Sequence, residues 1–291
     1  MVQGGLRDFE YVEPTSLEEA CSILKTNEGA RAIAGGTDLI LSMRERKISP
    51  RIVVNIKRIP GLDGMQIDEH GGLRIGALVK INTIDTSELV RTGFPILAEA
   101  AHRLGSLQIR NRATIGGNLC NASPAADTAP PLIALGAVAK TTGPRGDRLV
   151  KLEDFFTGPG KTVLSREELL AEVAVPSQPR GSRGAYMKHG PRNAMDIATV
   201  NVAVMFNLHD RRCVDPRIVL GSVAPVPMRA QKAEAAIQDR PIEESEVAKA
   251  AEIASQECSP ISDVRASAEY RRAMVKVAVG RLFGEALRLK P

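Results

Sequence analysis

The sequence predicts an α+β fold in two parts, and three observations carry the prediction. Strand-length apolar runs separated by glycine turns fill residues 30–175. Pro176-Ser177-Gln178-Pro179-Arg180-Gly181 then interrupts the chain with turn-forming residues, placing a boundary between residues 177 and 178. Beyond it strand-like stretches come first and helices last, an order that indicates α+β; a doubly wound parallel sheet would alternate the two. The predicted parts are residues 1–177 and a smaller C-terminal domain, residues 178–291, of antiparallel sheet plus helices. With 43% apolar residues among 291, the chain can furnish a conventional buried core.

Ser16 and Glu19 make a capping-box pattern, and Leu17, Ala20, Cys21 and Leu24 recur at helical spacing, so a short amphipathic helix precedes Gly29. Residues 30–34 read as a strand ending in Gly35-Gly36, with Leu39, Ile40 and Met43 marking a helix beyond. Residues 51–56 read as a buried strand. Segments 65–67 and 73–77 flank His70-Gly71-Gly72 and read as a hairpin. A helix is predicted over 95–104, a second glycine turn at Gly116-Gly117, and strands over 132–139 and 169–175, where the apolar runs are short. In the second part, 185–188, 198–208 and 217–223 form an antiparallel-looking set. Met274, Ala278, Leu282 and Ala286 share one stripe of a final helix, with Val275, Val279 and Phe283 beside it, enough to dock on that sheet.

Composition narrows the function. Lys and Arg number 39 against 34 for Asp and Glu, a net charge of +5 that suits an anionic ligand but is too small and dispersed for nucleic acid. The absence of Trp, with three Tyr and six Phe, argues against an aromatic platform for exposed bases. Cys21, Cys120, Cys213 and Cys258 form neither CxxC nor a Cys/His cluster, so they read as reduced packing residues and no metal site is expected in this chain. The opening Met1-Val2-Gln3-Gly4-Gly5-Leu6-Arg7 lacks the apolar core of a signal peptide, and no apolar run reaches transmembrane length. A cytoplasmic protein is the expectation.

The strongest local feature is a pair of similar segments, Ala34-Gly35-Gly36-Thr37-Asp38-Leu39 and Thr114-Ile115-Gly116-Gly117-Asn118-Leu119. Each places two glycines before a small polar residue. Glycine allows close backbone approach and positive φ, and successive main-chain N–H groups in such turns can converge on an anion. Two such loops would clasp a diphosphate from both sides; the alternative is that each is only a tight turn. Asn121, Ser123 and Asp127 follow, a dense set of hydrogen-bonding groups interrupted by the rigid turn residue Pro124 and suited to ribityl, ribose and ring-edge contacts. Competing motifs fail. No G-x-G-x-x-G follows a strand, and Gly160-Lys161-Thr162 is not a P-loop because its required first glycine falls at Phe155. Neither H-E-x-x-H nor G-x-S-x-G occurs. Of four scattered histidines only His189 stands in a suggestive setting, between Lys188 and Arg192, which either bring positive charge to a cofactor or are solvated charges on a strand edge.

Three segments together resemble a known family: Ala32-Ile33-Ala34-Gly35-Gly36-Thr37-Asp38, Thr114 to Asn118 continuing through Ser123-Pro124-Ala125-Ala126-Asp127, and Ser262-Asp263-Val264-Arg265-Ala266-Ser267-Ala268-Glu269-Tyr270-Arg271. In order along nearly the full chain, they are similar to the medium, FAD-binding subunits of molybdenum hydroxylases, the group of carbon monoxide dehydrogenase, xanthine dehydrogenase and bacterial N-heterocycle dehydrogenases. The resemblance implies a PCMH-type FAD-binding domain followed by a C-terminal flavoprotein domain. Carried over by position, Ala32, Ile33, Ala34, Gly35, Gly36, Thr37 and Asp38 match the loop around the FAD diphosphate, and Ala113, Thr114, Gly116, Gly117 and Asn118 the second clasp. Cys120, Asn121 and Asp127 match contacts further along. Leu104, Gly105, Ile109 and Leu164 match positions that pack near the cofactor, and Lys188 a basic residue near the flavin ring.

The resemblance further implies partners: a large subunit with the molybdenum cofactor, a small subunit with two 2Fe-2S clusters, and assembly as a dimer of heterotrimers. Electrons would pass from those clusters to FAD and on to an external acceptor, with no catalytic side chain in this chain. A benzoyl-CoA-type reductase subunit of the family carries a cysteine-rich insertion for a 4Fe-4S cluster; its absence here favours the FAD-only form. A stand-alone FAD-dependent oxidase or reductase of the same fold, and an assembly module without FAD, are the alternatives.

Overall fold

The computed structural model describes residues 5–192 and 194–288, so the first four residues of the opening segment lie outside it. Near the N-terminus, Glu10–Val12, Ile52–Asn55 and Arg31–Ile33 form a three-stranded parallel sheet with Ile52–Asn55 central. Helix Leu17–Thr26 joins the first strand to Arg31–Ile33, and helix Leu39–Arg44 leads from there toward Ile52–Asn55, the crossovers that parallel neighbours require. Ser16 Oγ caps the first helix by accepting from the Glu19 N–H at 3.1 Å. The Glu19 carboxylate reaches back to the Thr15 N–H, one residue earlier than the usual box. This small parallel sheet is not evident in the sequence pattern.

A five-stranded antiparallel sheet follows, in the order Met65–Ile67, Leu73–Gly76, Leu169–Val175, Val138–Gly143, Gly146–Lys151. The predicted hairpin is its first pair, and the predicted strand at 169–175 is its centre. Between Leu73–Gly76 and Val138–Gly143 the chain inserts a run of short helices, among them Pro95–Arg103, Leu107–Arg110, Ile115–Cys120 and Ala129–Ala134. Here the expectation of one strand over 132–139 is corrected. Ala129–Ala134 is a helix with proline in its first turn, where the fixed φ suits helix entry and no N–H is missed. Gly136, at φ +75°, then turns the chain into Val138–Gly143. All six residues of the helix are buried, and full burial removes the alternation that separates helix from strand.

The second part is a four-stranded antiparallel sheet, Ser182–His189, Val200–His209, Arg212–Gly221 and Met228–Arg229, followed by helices Gln231–Ile237, Glu244–Glu257 and Ala268–Arg288. The third strand begins earlier than the pattern indicates because it continues a hairpin across a bulge between Met205 and Asn207. The apolar stripe of the last helix is buried from Val275 to Ala286, with Met274 half-buried at its start and Phe283 stacked on Phe206 at 5.3 Å between centroids. The two parts share a core: Tyr186, Ala203, Met205 and Val219 of the second sheet pack in one buried cluster with Leu97, Leu132 and Leu135. Arg217 reinforces the seam by donating to the Ala134 carbonyl at 3.2 Å.

Candidate cofactor-binding cleft

Where the parallel sheet, the inserted helices and the antiparallel sheet meet, they leave a cleft of about 770 Å³, a size typical of sites that take a whole small-molecule cofactor. One wall is the loop leaving Arg31–Ile33. Gly36 sits there at φ +78°, a conformation that side chains disfavour. The main-chain N–H groups of Gly35, Gly36, Thr37 and Asp38 meet no acceptor among the described residues. Four consecutive unpaired donors beside a cavity form an anion-binding concavity.

The opposite wall is built differently, which corrects the expectation of two equivalent clasps. Gly116-Gly117 is not a turn but the first turn of helix Ile115–Cys120, capped by Thr114, whose Oγ1 accepts from the Gly117 N–H at 3.0 Å. The N–H groups of Ile115, Gly116 and Asn118 donate to the carbonyls of Val79, Ala77 and Thr114. None is left for an anion. The four glycines therefore do three separate jobs. A Cβ at Gly35 would overlap the Arg112 carbonyl, and one at Gly116 would lie 2.7 Å from Ala77, so both let protein pack on protein. Gly36 supplies the left-handed turn. A Cβ at Gly117 would meet only Thr114 Oγ1, so this position leaves open space on the cleft wall.

Side chains join the walls. Asn121 Nδ2 donates to Asp38 Oδ1 at 3.2 Å across the cleft, and Asn118 Oδ1 accepts from Thr128 at 2.6 Å. Lys57, which the sequence reading missed, donates from Nζ to the Ala34 carbonyl at 3.2 Å. Burial and the neighbouring Arg112 charge lower its pKa, and the two basic side chains stand together behind the glycine loop. Only the parallel pairing of Arg31–Ile33 with Ile52–Asn55 brings Lys57 there, and that pairing leaves no local signal.

Of the predicted site residues, those from Ala32 to Asp38, together with Leu104, Gly105, Ile109, Ala113, Thr114, Gly116, Gly117, Asn118, Cys120, Asn121, Asp127 and Leu164, all line the cleft. Lys188 does not. Its Nζ lies behind the wall, 2.8 Å from Asp127 Oδ2 and 3.1 Å from the Arg103 carbonyl. His189 and Arg192 are also outside: His189 pairs with Tyr270 at 3.0 Å, and Arg192 donates to the Met195 carbonyl. Cys120 is the one exposed cysteine of the four. The segment from Ser262 to Arg271 lies away from the cleft and anchors the last helix: Arg271 donates to Asp263 and to the carbonyls of Thr199 and Ser222.

The cleft carries carboxylates as well as donors, and each has a partner. Arg148, with Nε 2.7 Å from Glu168, holds that carboxyl down at about 2. Burial pushes Asp127 up to about 6 against the opposing pull of Lys188. Asp196 accepts from the Arg192 main-chain N–H at 3.0 Å. Asp196 and Ile197 join the far end of the cleft near Leu104 and Gly105, where Met195 N donates to the Gly105 carbonyl at 3.1 Å. Neither residue was foreseen. Among the described residues, no group of three or more His, Cys, Asp or Glu is placed to hold a metal ion.

A preformed cleft of this size with an anion-binding loop defines a protein that holds a phosphate-bearing organic cofactor. Comparison with known proteins gives the cofactor. Residues 7–178 match the FAD binding domain in molybdopterin dehydrogenase, and residues 185–286 match the CO dehydrogenase flavoprotein C-terminal domain. A putative xanthine dehydrogenase FAD-binding subunit of Escherichia coli is 33% identical, covering 96% of this chain and 97% of the relative. The solved structure of carbon monoxide dehydrogenase from Hydrogenophaga pseudoflava contains a chain that superposes with a TM-score of 0.94 at 34% identity, covering 98% of this chain and 99% of the other. For quinoline 2-oxidoreductase from Pseudomonas putida the TM-score is 0.91 at 30% identity, with 97% and 98% covered. The chain belongs to the family of FAD-binding medium subunits of the molybdenum hydroxylases. It is a flavoprotein subunit of an oxidoreductase, and electron transfer through FAD is its role.

Proposed function

We propose that FAD occupies the cleft with its diphosphate on the unpaired N–H groups of Gly35, Gly36, Thr37 and Asp38, the observation that carries this placement. Lys57 supports it with positive charge from behind. On the opposite wall Gly117 leaves room, while Asn118, Cys120 and Asn121 line the path along which the ribityl chain runs toward Asp127, Leu104, Gly105 and Ile109. Ala32, Ile33, Ala34, Ala113, Thr114, Gly116 and Leu164 complete the contact surface, and Lys188 acts through Asp127. We place the FAD-binding domain at residues 1–177 and the C-terminal flavoprotein domain at 178–291.

When bound, FAD supplies a carrier that accepts electrons and releases them to another acceptor. The chain's own contribution is to bind and orient the cofactor, shield it between aliphatic walls and set the charge around it. In the cell it works beside a large molybdenum-cofactor subunit and a small 2Fe-2S subunit, in a dimer of heterotrimers that delivers electrons to an external acceptor in the cytoplasm. Two observations support this reading: the chain covers almost the whole length of relatives named as medium subunits or chains, and no helix among the described residues is long and apolar enough to cross a membrane.

Affinity purification from the native source, with identification of co-purifying chains, flavin, molybdenum and iron, tests it. Two partner chains and all three cofactors are expected. A lone flavoprotein with full turnover and neither metal would overturn the relay role.

A further inference from the structure

Asp127 is the point at which the second sheet reaches the cleft. The carboxyl lines the cleft yet is buried, and its hydrogen-bonding partners come from across the seam. Lys188 Nζ sits 2.8 Å from Oδ2, and Tyr186 Oη donates to Oδ1 at 3.3 Å; both residues belong to strand Ser182–His189. The direction of the tyrosine proton is set by a third residue. Asn201, fully buried on the next strand, donates from Nδ2 to Tyr186 Oη at 3.4 Å and to the Ala126 carbonyl at 3.2 Å. With that lone pair taken, the hydroxyl proton points at Asp127. Helix Pro95–Arg103 adds the Arg103 carbonyl, which shares Lys188, and Glu99, whose charge acts on Tyr186 and is itself tied to Arg103 at 2.7 Å. Asp196 is the other carboxylate at this end of the cleft.

This end suits a redox-active ring. It lies past Asn118 and Asn121 from the anion-binding loop, and its rim is apolar and exposed at Ile109 and at Ile197, which is 50% accessible. A flavin edge that exchanges electrons with a partner needs such a rim.

We infer that Asp127 is the charge-bearing group beside the flavin ring, and that strand Ser182–His189 decides through Lys188 and Tyr186 whether it stands there as carboxylate or carboxylic acid. The inference rests on the FAD placement proposed above. Lys188 and Tyr186 are positioning residues in this scheme; only Asp127 faces the cofactor. Burial alone favours the acid, while Lys188 and the tyrosine proton favour the anion, so removing either partner shifts the balance in one direction.

The test is a pH titration of the bound-flavin absorbance spectrum in wild-type, Tyr186→Phe, Lys188→Met and Asp127→Asn protein saturated with FAD, with the flavin midpoint potential followed over the same range. Wild-type protein is expected to show a spectral transition near pH 6. Lys188→Met should move it upward by about one unit or more, at least a tenfold gain in proton affinity, since a neighbouring opposite charge is worth that much. Tyr186→Phe, which keeps the volume and therefore the fold, should move it less in the same direction. Asp127→Asn should abolish it. Carbon-13 NMR of the Asp127 carboxyl in cofactor-free Tyr186→Phe and wild-type protein gives the same shift independently of FAD. If FAD is fully bound and the transition is unmoved in Tyr186→Phe and persists in Asp127→Asn, this inference fails and the FAD placement stands. If folded wild-type protein binds no FAD at saturating concentration, both fall.

Discussion

Replacing Gly117 by alanine should separate cofactor binding from folding. The position lies inside helix Ile115–Cys120 with an ordinary helical φ, where alanine is favoured over glycine by about 0.8–1.0 kcal/mol. A new Cβ there meets only Thr114 Oγ1, at 3.0 Å, a contact tight enough to take back part of that gain. The cofactor-free protein should thus be unchanged or more stable by up to about 1 kcal/mol, raising Tm by roughly 2 °C for a chain of this size. The same methyl group projects into space that FAD would fill. Overpacking a formed contact costs about 1–3 kcal/mol, which weakens FAD roughly five- to 150-fold. Thermal unfolding of cofactor-free protein and quenching of FAD fluorescence on titration measure the two effects. Gly116→Ala is the control: its Cβ would press on Ala77 at 2.7 Å, so stability should fall with it. Undiminished FAD affinity in a stable Gly117→Ala protein would mean the cofactor does not pass this wall.

Gly36→Ala should destabilise by about 1–2 kcal/mol through its left-handed φ and displace the unpaired N–H groups; FAD content after gel filtration should drop alongside Tm. Thr114→Ala removes a helix cap and should cost about 1 kcal/mol, while Thr114→Ser keeps the oxygen and should stay near wild type in denaturant unfolding. Glu168 has its folded pKa depressed to about 2, so its stabilisation is present above the ordinary carboxylate range and is lost as pH falls toward 2. Arg148→Met should flatten the acid limb of a stability-versus-pH curve by that contribution; an unchanged limb would show that the pair is energetically idle. Asp127 carries the opposite sign. Its folded pKa is raised, so its contribution is present below the unfolded value and fades as pH rises through 6, a slope that Asp127→Asn should remove from the same curves.

Much of this architecture is legible because its signals are local. Ser16 with Glu19, the helical stripe from Val275 to Ala286 and the turn at His70-Gly71-Gly72 each announce themselves within a few residues. Every site residue the resemblance named except Lys188 lines the cleft, but it did not name the rest of the lining, Ala77, Glu168, Asp196 and Ile197 among them. What stayed hidden depends on contacts between distant segments. At Gly35 and Gly116 the lack of a side chain answers to Arg112 and Ala77, which press on them, a constraint the local sequence does not display. Gly116-Gly117 looks like a second anion loop, and only the bonds to Val79, Ala77 and Thr114 show that its donors are spent. Lys188 reads as a ring-side cation, but a buried Asp127 claims it. Ala129–Ala134 reads as strand because burial on all sides erases its period.

The two glycine segments are therefore unequal, and on the proposed placement they take different parts in holding the cofactor. One loop offers unpaired donors that can hold a diphosphate but cannot orient a ring. The helix opposite has its donors engaged and offers shape instead, with Asn121 fixing its distance to the loop through Asp38. The remaining control lies at Asp127, and every hydrogen bond its carboxyl makes originates beyond residue 181. Lys188 is itself nearly buried, so replacing it by methionine in the intact chain would leave Asp127 as a buried carboxyl with no cation. Breaking such a buried pair costs about 3–5 kcal/mol unless the acid takes up a proton. On the proposed placement, the first part of the chain would hold the cofactor's phosphate end while the second would set the charge beside its ring, which would make the seam between the sheets a functional boundary as well as a packing one.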